Sequence, residues 1–294
     1  MKKIKLMLAS GVLALSIFTM GIVVDAASIR QQGISSCGAS YNSSTGKVAM
    51  KSMLKSGKSA SNIKEIQARG DYYRNGNYLD SVETDTTGGY SSATASYSAN
   101  AYTGSVYEVE GSGYYIMSSL PNNIYYDFSS VSYVYNSKSS SNLVNKSIVS
   151  ESIDLSNSKN ELEMFYKNLD EHIASTFDIA LNDYQKVNIS NLGKTEENAK
   201  LVKTYLSIPK ESGDKKPSIY LKNDSEGFII MQKADGTNKI YYLELSKSKD
   251  WVEKSDDSVK GKLVKFNNEE VSKGSTKVSK INNGTEIVAE KSEQ

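Results

Sequence analysis

The spacing of apolar residues changes twice along the chain and divides it into three parts. Residues 6–24 form an unbroken run of apolar and small residues. From residue 28, apolar residues alternate with polar ones, which is the pattern of half-buried strands. From residue 158, they first recur at three- and four-residue spacing and then alternate again, which indicates helices followed by strands.

The first part has the layout of a secretory signal. Lys2, Lys3 and Lys5 precede the apolar run, and small residues follow it. We expect cleavage after Ala26 or Ala27 and export of the rest of the chain. An uncleaved membrane anchor is the alternative, because the nineteen residues of the run are enough to span a bilayer.

A lipoprotein is a third interpretation of this region. The segment from Ile34 to Cys37 resembles a lipobox, but the polar residues Arg30, Gln31 and Gln32 separate it from the apolar run. Cys37 is the single cysteine, so the chain cannot form an internal disulfide. We expect Cys37 to be a half-buried strand residue, with an intermolecular disulfide as the alternative.

Residues 28–135 predict an all-β, antiparallel sandwich of Ig-like size. Asn75-Gly76 lies between two apolar runs and predicts a tight hairpin that sets Tyr73 opposite Tyr78. Residues 123–135 add a candidate edge strand. The seven predicted strands lie near residues 36–41, 47–54, 63–74, 77–85, 92–101, 105–110 and 113–118.

Residues 158–267 predict an α+β domain. A long amphipathic helix begins at Ser158, a short helix follows Thr195 and ends before Pro209, and an antiparallel meander completes the domain. Its strands are expected near residues 219–222, 228–232, 240–245 and 262–266. The predicted order is therefore a signal peptide (1–26), a Tyr/Ser/Gly-rich β-sandwich domain (28–135), a Ser/Asn-rich linker (136–157), the α+β domain (158–267) and a polar tail expected to be mobile (268–294).

The charge of the chain excludes one class of partner. Removal of residues 1–26 takes away three of the 35 basic and one of the 34 acidic groups, which leaves a net charge of −1. Binding to nucleic acid depends on a basic surface. We therefore expect no nucleic-acid partner.

Side chains with catalytic or metal-binding chemistry are few. His172 is the single histidine, which excludes a metal site with two imidazoles, and we expect it at the boundary of the long helix. Glu108 and Glu110 share one face of a strand, about 7 Å apart, and we expect that face to be solvated. The remaining acidic candidates lack the spacing of a calcium loop: Asp80, Glu83, Asp85, Asp256 and Asp257. The sequence predicts no catalytic residue, no metal and no cofactor.

Arg69-Gly70-Asp71 spells an adhesion tripeptide that resembles integrin ligands. The alternation around it puts the tripeptide inside a strand, with Arg69 and Asp71 on the solvent face and Gly70 turned inward. Such a ligand functions at an exposed loop tip, so we expect a chance occurrence.

The composition of the β part suits recognition, because tyrosine offers a rigid amphipathic surface at low entropy cost. We predict an exported, non-enzymatic bacterial protein, secreted or retained at the cell surface, that binds an extracellular glycan or protein. The predicted ligand-binding residues are Tyr73, Tyr78, Tyr90, Tyr102 and Tyr115.

Two other functions stay open. The first is a membrane-active toxin or bacteriocin-like factor, because the regular Ser/Thr/Ala strand between Tyr90 and Tyr102 resembles a membrane-inserting strand with interfacial aromatics. Contact with a membrane is expected only in that case. The second is a carboxylate-based hydrolase, which needs just two acids in a cleft.

Overall fold

The computed structural model describes residues 34–84, 88–136, 148–193, 195–266 and 285–288. Within these residues the protein consists mostly of antiparallel β-sheets, with two α-helices. The predicted signal peptide, Asp85 and most of the predicted tail lie outside the described residues.

The first half of the chain forms two sheets. Strands β1, β2 and β5 make a three-stranded sheet in the order β1-β2-β5, which we call the outer sheet. Strands β4, β3, β6 and β7 make a four-stranded sheet in that order, which we call the central sheet. The bounds are β1 (Ile34–Asn42), β2 (Lys47–Lys55), β3 (Ile63–Arg74), β4 (Asn77–Glu83), β5 (Ser92–Asn100), β6 (Val106–Met117) and β7 (Leu120–Val134).

One face of the central sheet packs on the outer sheet. Val48 and Met50 of β2 belong to the same buried cluster as Tyr72 of β3 and Tyr107 of β6. Aromatic rings supply much of this core, because many of the other inward positions carry alanine or glycine.

The predicted hairpin between β3 and β4 is confirmed. Tyr73 pairs with Tyr78 across the strands, and both turn residues have positive φ, 49° at Asn75 and 73° at Gly76. This is the backbone conformation for which Asn-Gly is the preferred pair.

The two strands predicted near residues 105–110 and 113–118 form one continuous strand, β6. Gly111, between them, pairs with Gly70 on β3 and Ser129 on β7 instead of making a turn. A side chain at Gly111 would overlap Ser52 Oγ and Cys37 Sγ of the outer sheet. The glycine therefore permits close approach of the two sheets, which the sequence alone did not distinguish from a turn.

The second half of the chain forms a five-stranded sheet with a helix on each face. The bounds are α1 (Ile148–Ser175), β8 (Gln185–Val187), α2 (Glu196–Ser207), β9 (Ser218–Leu221), β10 (Glu226–Gln232), β11 (Thr237–Leu245) and β12 (Trp251–Lys260). The sheet order is β12-β11-β10-β9-β8, and we call this the C-terminal sheet. Strand β13 (Leu263–Phe266) pairs separately with β14 (Thr285–Val288), which lies within the predicted tail.

Alternate residues of β10 face the two helices. Phe228 and Ile230 share a cluster with Phe165 and Leu169 of α1. Ile229 shares another with Tyr205 and other residues of α2. The predicted order of helices followed by a meander is thus present, with β8 inserted between the helices.

The start of α1 and the presence of β12 differ from the prediction. Helix α1 begins at Ile148, so Ser158 lies inside the helix and not at its start. Strand β12 was not predicted, because nine of its ten residues are exposed and it has almost no apolar alternation. Helix α2 begins where predicted, with Thr195 Oγ1 accepting a hydrogen bond from the Asn198 amide at 3.2 Å.

The second face of the central sheet was predicted to be solvated, and this prediction is wrong. Asp71 is fully buried, and Glu108 and Glu110 are only 6% and 4% exposed. The alternation is correct, since Gly70 turns inward to the outer sheet, but the second half of the chain covers the opposite face. Val106 on that face belongs to the same cluster as helix α1.

Candidate ligand cavity between the two halves of the chain

A cavity of about 860 Å³ lies where the central sheet meets the second half of the chain, and we call it the interface cavity. Strands β6 and β7 form one wall, helix α1 forms another, and the segments 186–190 and 216–220 complete it. Its size falls within the range of about 300–1,000 Å³ that is usual for small-molecule sites. Polar lining residues include Glu108, Glu110, Ser130, Ser132, Asn188, Ser190 and Lys216.

Two carboxylates and one ammonium group form the floor of the interface cavity. Lys216 Nζ lies 2.9 Å from Glu108 Oε1 and 3.0 Å from Glu110 Oε1. Burial alone would lower the pKa of Lys216, but the two carboxylates outweigh it and raise that pKa. Lys216 is therefore held as a cation between the two carboxylates.

The second oxygen of each carboxylate faces a tyrosine hydroxyl. Tyr205 donates to Glu110 Oε2 at 2.6 Å, whereas Tyr166 donates to Glu108 Oε2 at 3.4 Å. Burial, followed by the adjacent carboxylate, raises the pKa of both tyrosines well above the usual value. Both phenols are therefore hydrogen-bond donors at neutral pH.

Backbone hydrogen bonds bring Lys216 to this position. The Lys216 amide donates to the carbonyl oxygen of Gly76 in the hairpin turn at 2.8 Å, and the Tyr78 amide donates to Asp214 O at 2.7 Å. The hairpin between β3 and β4 thus fixes the loop that carries the lysine. The Asn-Gly turn contributes to the site although neither Asn75 nor Gly76 lines the cavity.

A second buried ionic group lies beside the floor. Lys210 Nζ lies 3.0 Å from Asp71 Oδ2, and Arg69 Nε lies 3.2 Å from Asp71 Oδ1. Burial lowers the pKa of Lys210, although Asp71 acts in the opposite direction. Arg69 also donates to the Leu206 carbonyl oxygen at 2.6 Å. The tripeptide Arg69-Gly70-Asp71 therefore joins the central sheet to the end of α2.

Charged groups on the outer walls also have partners. Lys186 Nζ lies 2.6 Å from Asp170 Oδ2, which also accepts a hydrogen bond from Tyr220 at 2.8 Å. Burial raises the pKa of Asp170 even though Lys186 opposes that shift. Lys167 pairs with Glu171 at 4.0 Å. The cavity therefore has a polar lining in which most charges are already compensated.

The structure does not bring the five predicted tyrosines together at this cavity. Tyr73, Tyr78 and Tyr115 are 0%, 6% and 1% exposed and pack within the protein. Tyr90 is 60% exposed, and Tyr102 is half-buried beneath Arg74, whose Cζ lies 4.5 Å from the ring centroid. A ligand-binding role for these residues stays a prediction. The tyrosines that line the cavity are Tyr166, Tyr205 and Tyr220.

Other candidates for chemistry lie on separate elements. His172 is half-buried on α1, and its Nε2 has no hydrogen-bond partner among the described residues. Cys37 is half-buried on β1, where its Sγ donates to the Ser129 carbonyl oxygen at 3.3 Å. In the part of the chain that the structure describes, no group of three or more His, Cys, Asp or Glu side chains is arranged to hold a metal ion.

The strand proposed for membrane insertion is β5. Its Ala95 and Ala99 are buried against the central sheet, and its serines face outward. No helix among the described residues combines the length and the apolar character needed to cross a bilayer.

No protein-family profile matches the chain, and no curated protein matches its sequence. Among solved structures, the sporulation control protein Spo0M from Bacillus subtilis is a match, with 9% sequence identity over 78% of this chain and 89% of that chain. The TM-score is 0.20, at which the likeness carries no argument about function.

Proposed function

We propose that this chain is an exported bacterial binding protein, without catalytic activity, that recognises a component of the cell envelope through the interface cavity. The observation that carries this proposal is the cavity itself, in which polar groups from both halves of the chain converge. Export is proposed from the N-terminal sequence, with Lys2, Lys3 and Lys5 before the apolar run.

The geometry of the two glutamates favours binding over hydrolysis. A hydrolase of this type needs one carboxyl group free to give a proton and another free to attack or to activate water. Here one oxygen of each carboxylate contacts Lys216, and the other faces a tyrosine hydroxyl. Glu108 and Glu110 are thus arranged to orient polar groups instead of transferring protons.

We further propose that the outer and central sheets form an antiparallel sandwich of Ig-like size that acts as a rigid scaffold. The shared cluster around Met50, Tyr72 and Tyr107 supports this arrangement. A rigid sheet face holds Glu108, Glu110 and the β7 serines at fixed spacing, which lowers the entropic cost of binding.

The test is cosedimentation of the purified full chain with isolated cell walls. We expect the chain to pellet with intact walls and with walls treated with protease, if the partner is a glycan. Retention only before protease treatment would identify a protein partner. A chain that stays in the supernatant with both preparations overturns the proposed function.

Export is tested on material from the culture medium. We expect intact-mass and N-terminal analysis to give a chain that begins at Ala27 or Ser28, as cleavage after Ala26 or Ala27 requires. Recovery of the chain only inside the cell, with Met1 retained, overturns the export part of the proposal.

A further inference from the structure

We propose that the interface cavity takes a short, uncharged oligosaccharide whose hydroxyl groups bind at Glu108. This inference rests on the proposed binding function and names the class of ligand. It follows from the hydrogen bonds and ion pairs of Glu108, Glu110 and Lys216, the register of β6 with β7, and the balance of charges among the residues that line the cavity.

Glu108 has the least satisfied oxygen of the floor. The bond from Tyr166 to its Oε2 is 3.4 Å long, beyond the usual range for O–H donors of about 2.5–3.0 Å. The corresponding bond from Tyr205 to Glu110 is 2.6 Å. Because Glu108 is only 6% exposed, a ligand hydroxyl that donates to this oxygen would gain a charge-assisted bond away from bulk water.

Serine hydroxyls stand directly beside the two carboxylates. Ser132 pairs with Glu108, and Ser130 pairs with Glu110, in the register of β6 with β7. Side chains of directly opposite residues lie about 4.5–5.5 Å apart at Cβ on the same face. The cavity therefore presents alternating acceptors and donors, which suits a ligand rich in hydroxyl groups. Half-buried Val187 supplies apolar wall for the C–H faces of a sugar ring.

The charge balance favours a neutral ligand over an ionic one. Lys216 is occupied by two carboxylates, and Lys186 by Asp170. On α1, Lys159 and Glu163 lie one turn apart with opposite charges. An anion would meet two carboxylates and an ammonium group that already contacts both of them, whereas a hydroxyl needs no counter-ion.

Calorimetric titration of the full chain with three disaccharides of equal backbone tests the inference. The probes are N,N′-diacetylchitobiose (called chitobiose below), which is neutral, its de-N-acetylated form, which is cationic, and N-acetylglucosaminyl-N-acetylmuramic acid, which is anionic. We expect binding of chitobiose that is the same at 50 and 500 mM salt, with at least fivefold weaker binding of the other two. Tighter binding of either charged sugar, or no binding of any, overturns the inference.

Two matched variants locate the binding. Ser132→Trp places a large ring over Glu108 and should weaken chitobiose binding more than tenfold. Ser98→Trp puts the same ring on an exposed serine of β5 and should leave binding unchanged. If Ser132→Trp does not fold, the double variant Ser130→Ala with Ser132→Ala removes only two hydroxyls and should weaken binding about tenfold. Equal affinity of Ser98→Trp and the cavity variants overturns the site.

The outcome is separable from that of the proposed function. Cosedimentation with walls but no saccharide binding overturns the neutral-sugar inference and leaves an envelope-binding protein. Saccharide binding without cosedimentation supports the cavity and overturns the envelope as its target.

Discussion

Lys216 Nζ lies 2.9 Å from Glu108 Oε1, although 108 positions separate the two residues along the chain. The same ammonium group lies 3.0 Å from Glu110 Oε1. This single side chain neutralises part of a buried acidic face and joins the central sheet to the second half of the protein. Stability and the shape of the interface cavity therefore depend on the same contact.

Lys216→Met should lower the free energy of unfolding by about 3–5 kcal/mol, because it leaves two buried carboxylates without their cation. Lys254→Met is the matched control, since Lys254 forms a 3.2 Å pair with Glu244 in which both side chains are largely exposed. We expect the control to lose less than about 1 kcal/mol. Urea unfolding at pH 7 measures the free energy of unfolding of both variants. Equal losses would contradict a stabilising role of Lys216 between the two buried carboxylates.

Removal of the hydroxyl group should change the free energy of unfolding in opposite directions at the buried residues Tyr73 and Tyr205. Tyr73 is fully buried, and its hydroxyl has no hydrogen-bond partner among the described residues. Tyr73→Phe should therefore raise the free energy of unfolding by about 1 kcal/mol, since a buried unsatisfied group is removed. Tyr205→Phe deletes a 2.6 Å bond to Glu110 and should lower it by about 2 kcal/mol. Loss of stability in both variants would show that Tyr73 has a partner.

Some features of the fold and the site could be predicted from the sequence alone, and others could not. Local rules predicted the Asn75-Gly76 hairpin and the start of α2 at Thr195, because the signal and the structure lie within a few residues. The burial of Glu108 could not be predicted in this way. Its neighbours show only strand alternation, and the cation that neutralises it lies far along the chain at Lys216.

An exposed element such as strand β12 could not be predicted from the sequence for a different reason. Strand β12 is held by backbone pairing with β11, and its side chains contribute almost no apolar pattern. The interface cavity is difficult to predict for both reasons, because it is built from β6, β7, α1 and the distant segments 186–190 and 216–220. The chemistry of tyrosine indicates which residues are able to bind a ligand, but long-range packing determines which of them reach a cavity.

Stability should fall at alkaline pH. Burial raises the pKa of Tyr73, Tyr166 and Tyr205 well above the usual value of 10.0. Above pH 10 the unfolded chain loses these phenolic protons while the folded chain keeps them, so the unfolded state binds fewer protons. The free energy of unfolding should then decrease by about 1.4 kcal/mol per pH unit for each such tyrosine.

A comparison with Tyr73→Phe isolates this effect. Lys210 has a pKa lowered by burial, so its titration acts in the opposite direction up to the lysine pKa of the unfolded chain. Both proteins retain Lys210, and its contribution cancels in the difference. Between pH 10.5 and 11.5 the free energy of unfolding should decrease less steeply in Tyr73→Phe than in the parent protein. The difference in slope should be about 1.4 kcal/mol per pH unit. Parallel pH dependences in urea unfolding would contradict a neutral, buried Tyr73.

Gly76 should be sensitive to substitution because the hairpin turn lies against helix α1. At φ 73° any side chain is strained, and a methyl group would also overlap the hydroxyl of Tyr166. Gly46 is the matched control, with φ 65° and open space around it. Gly46→Ala should cost about 1–2 kcal/mol from backbone strain alone, whereas Gly76→Ala adds about 1–3 kcal/mol of overpacking. Because Tyr166 lines the interface cavity, Gly76→Ala should also weaken chitobiose binding, which calorimetry measures, and Gly46→Ala should not. Equal unfolding free energies for the two variants would show that the turn does not press on α1.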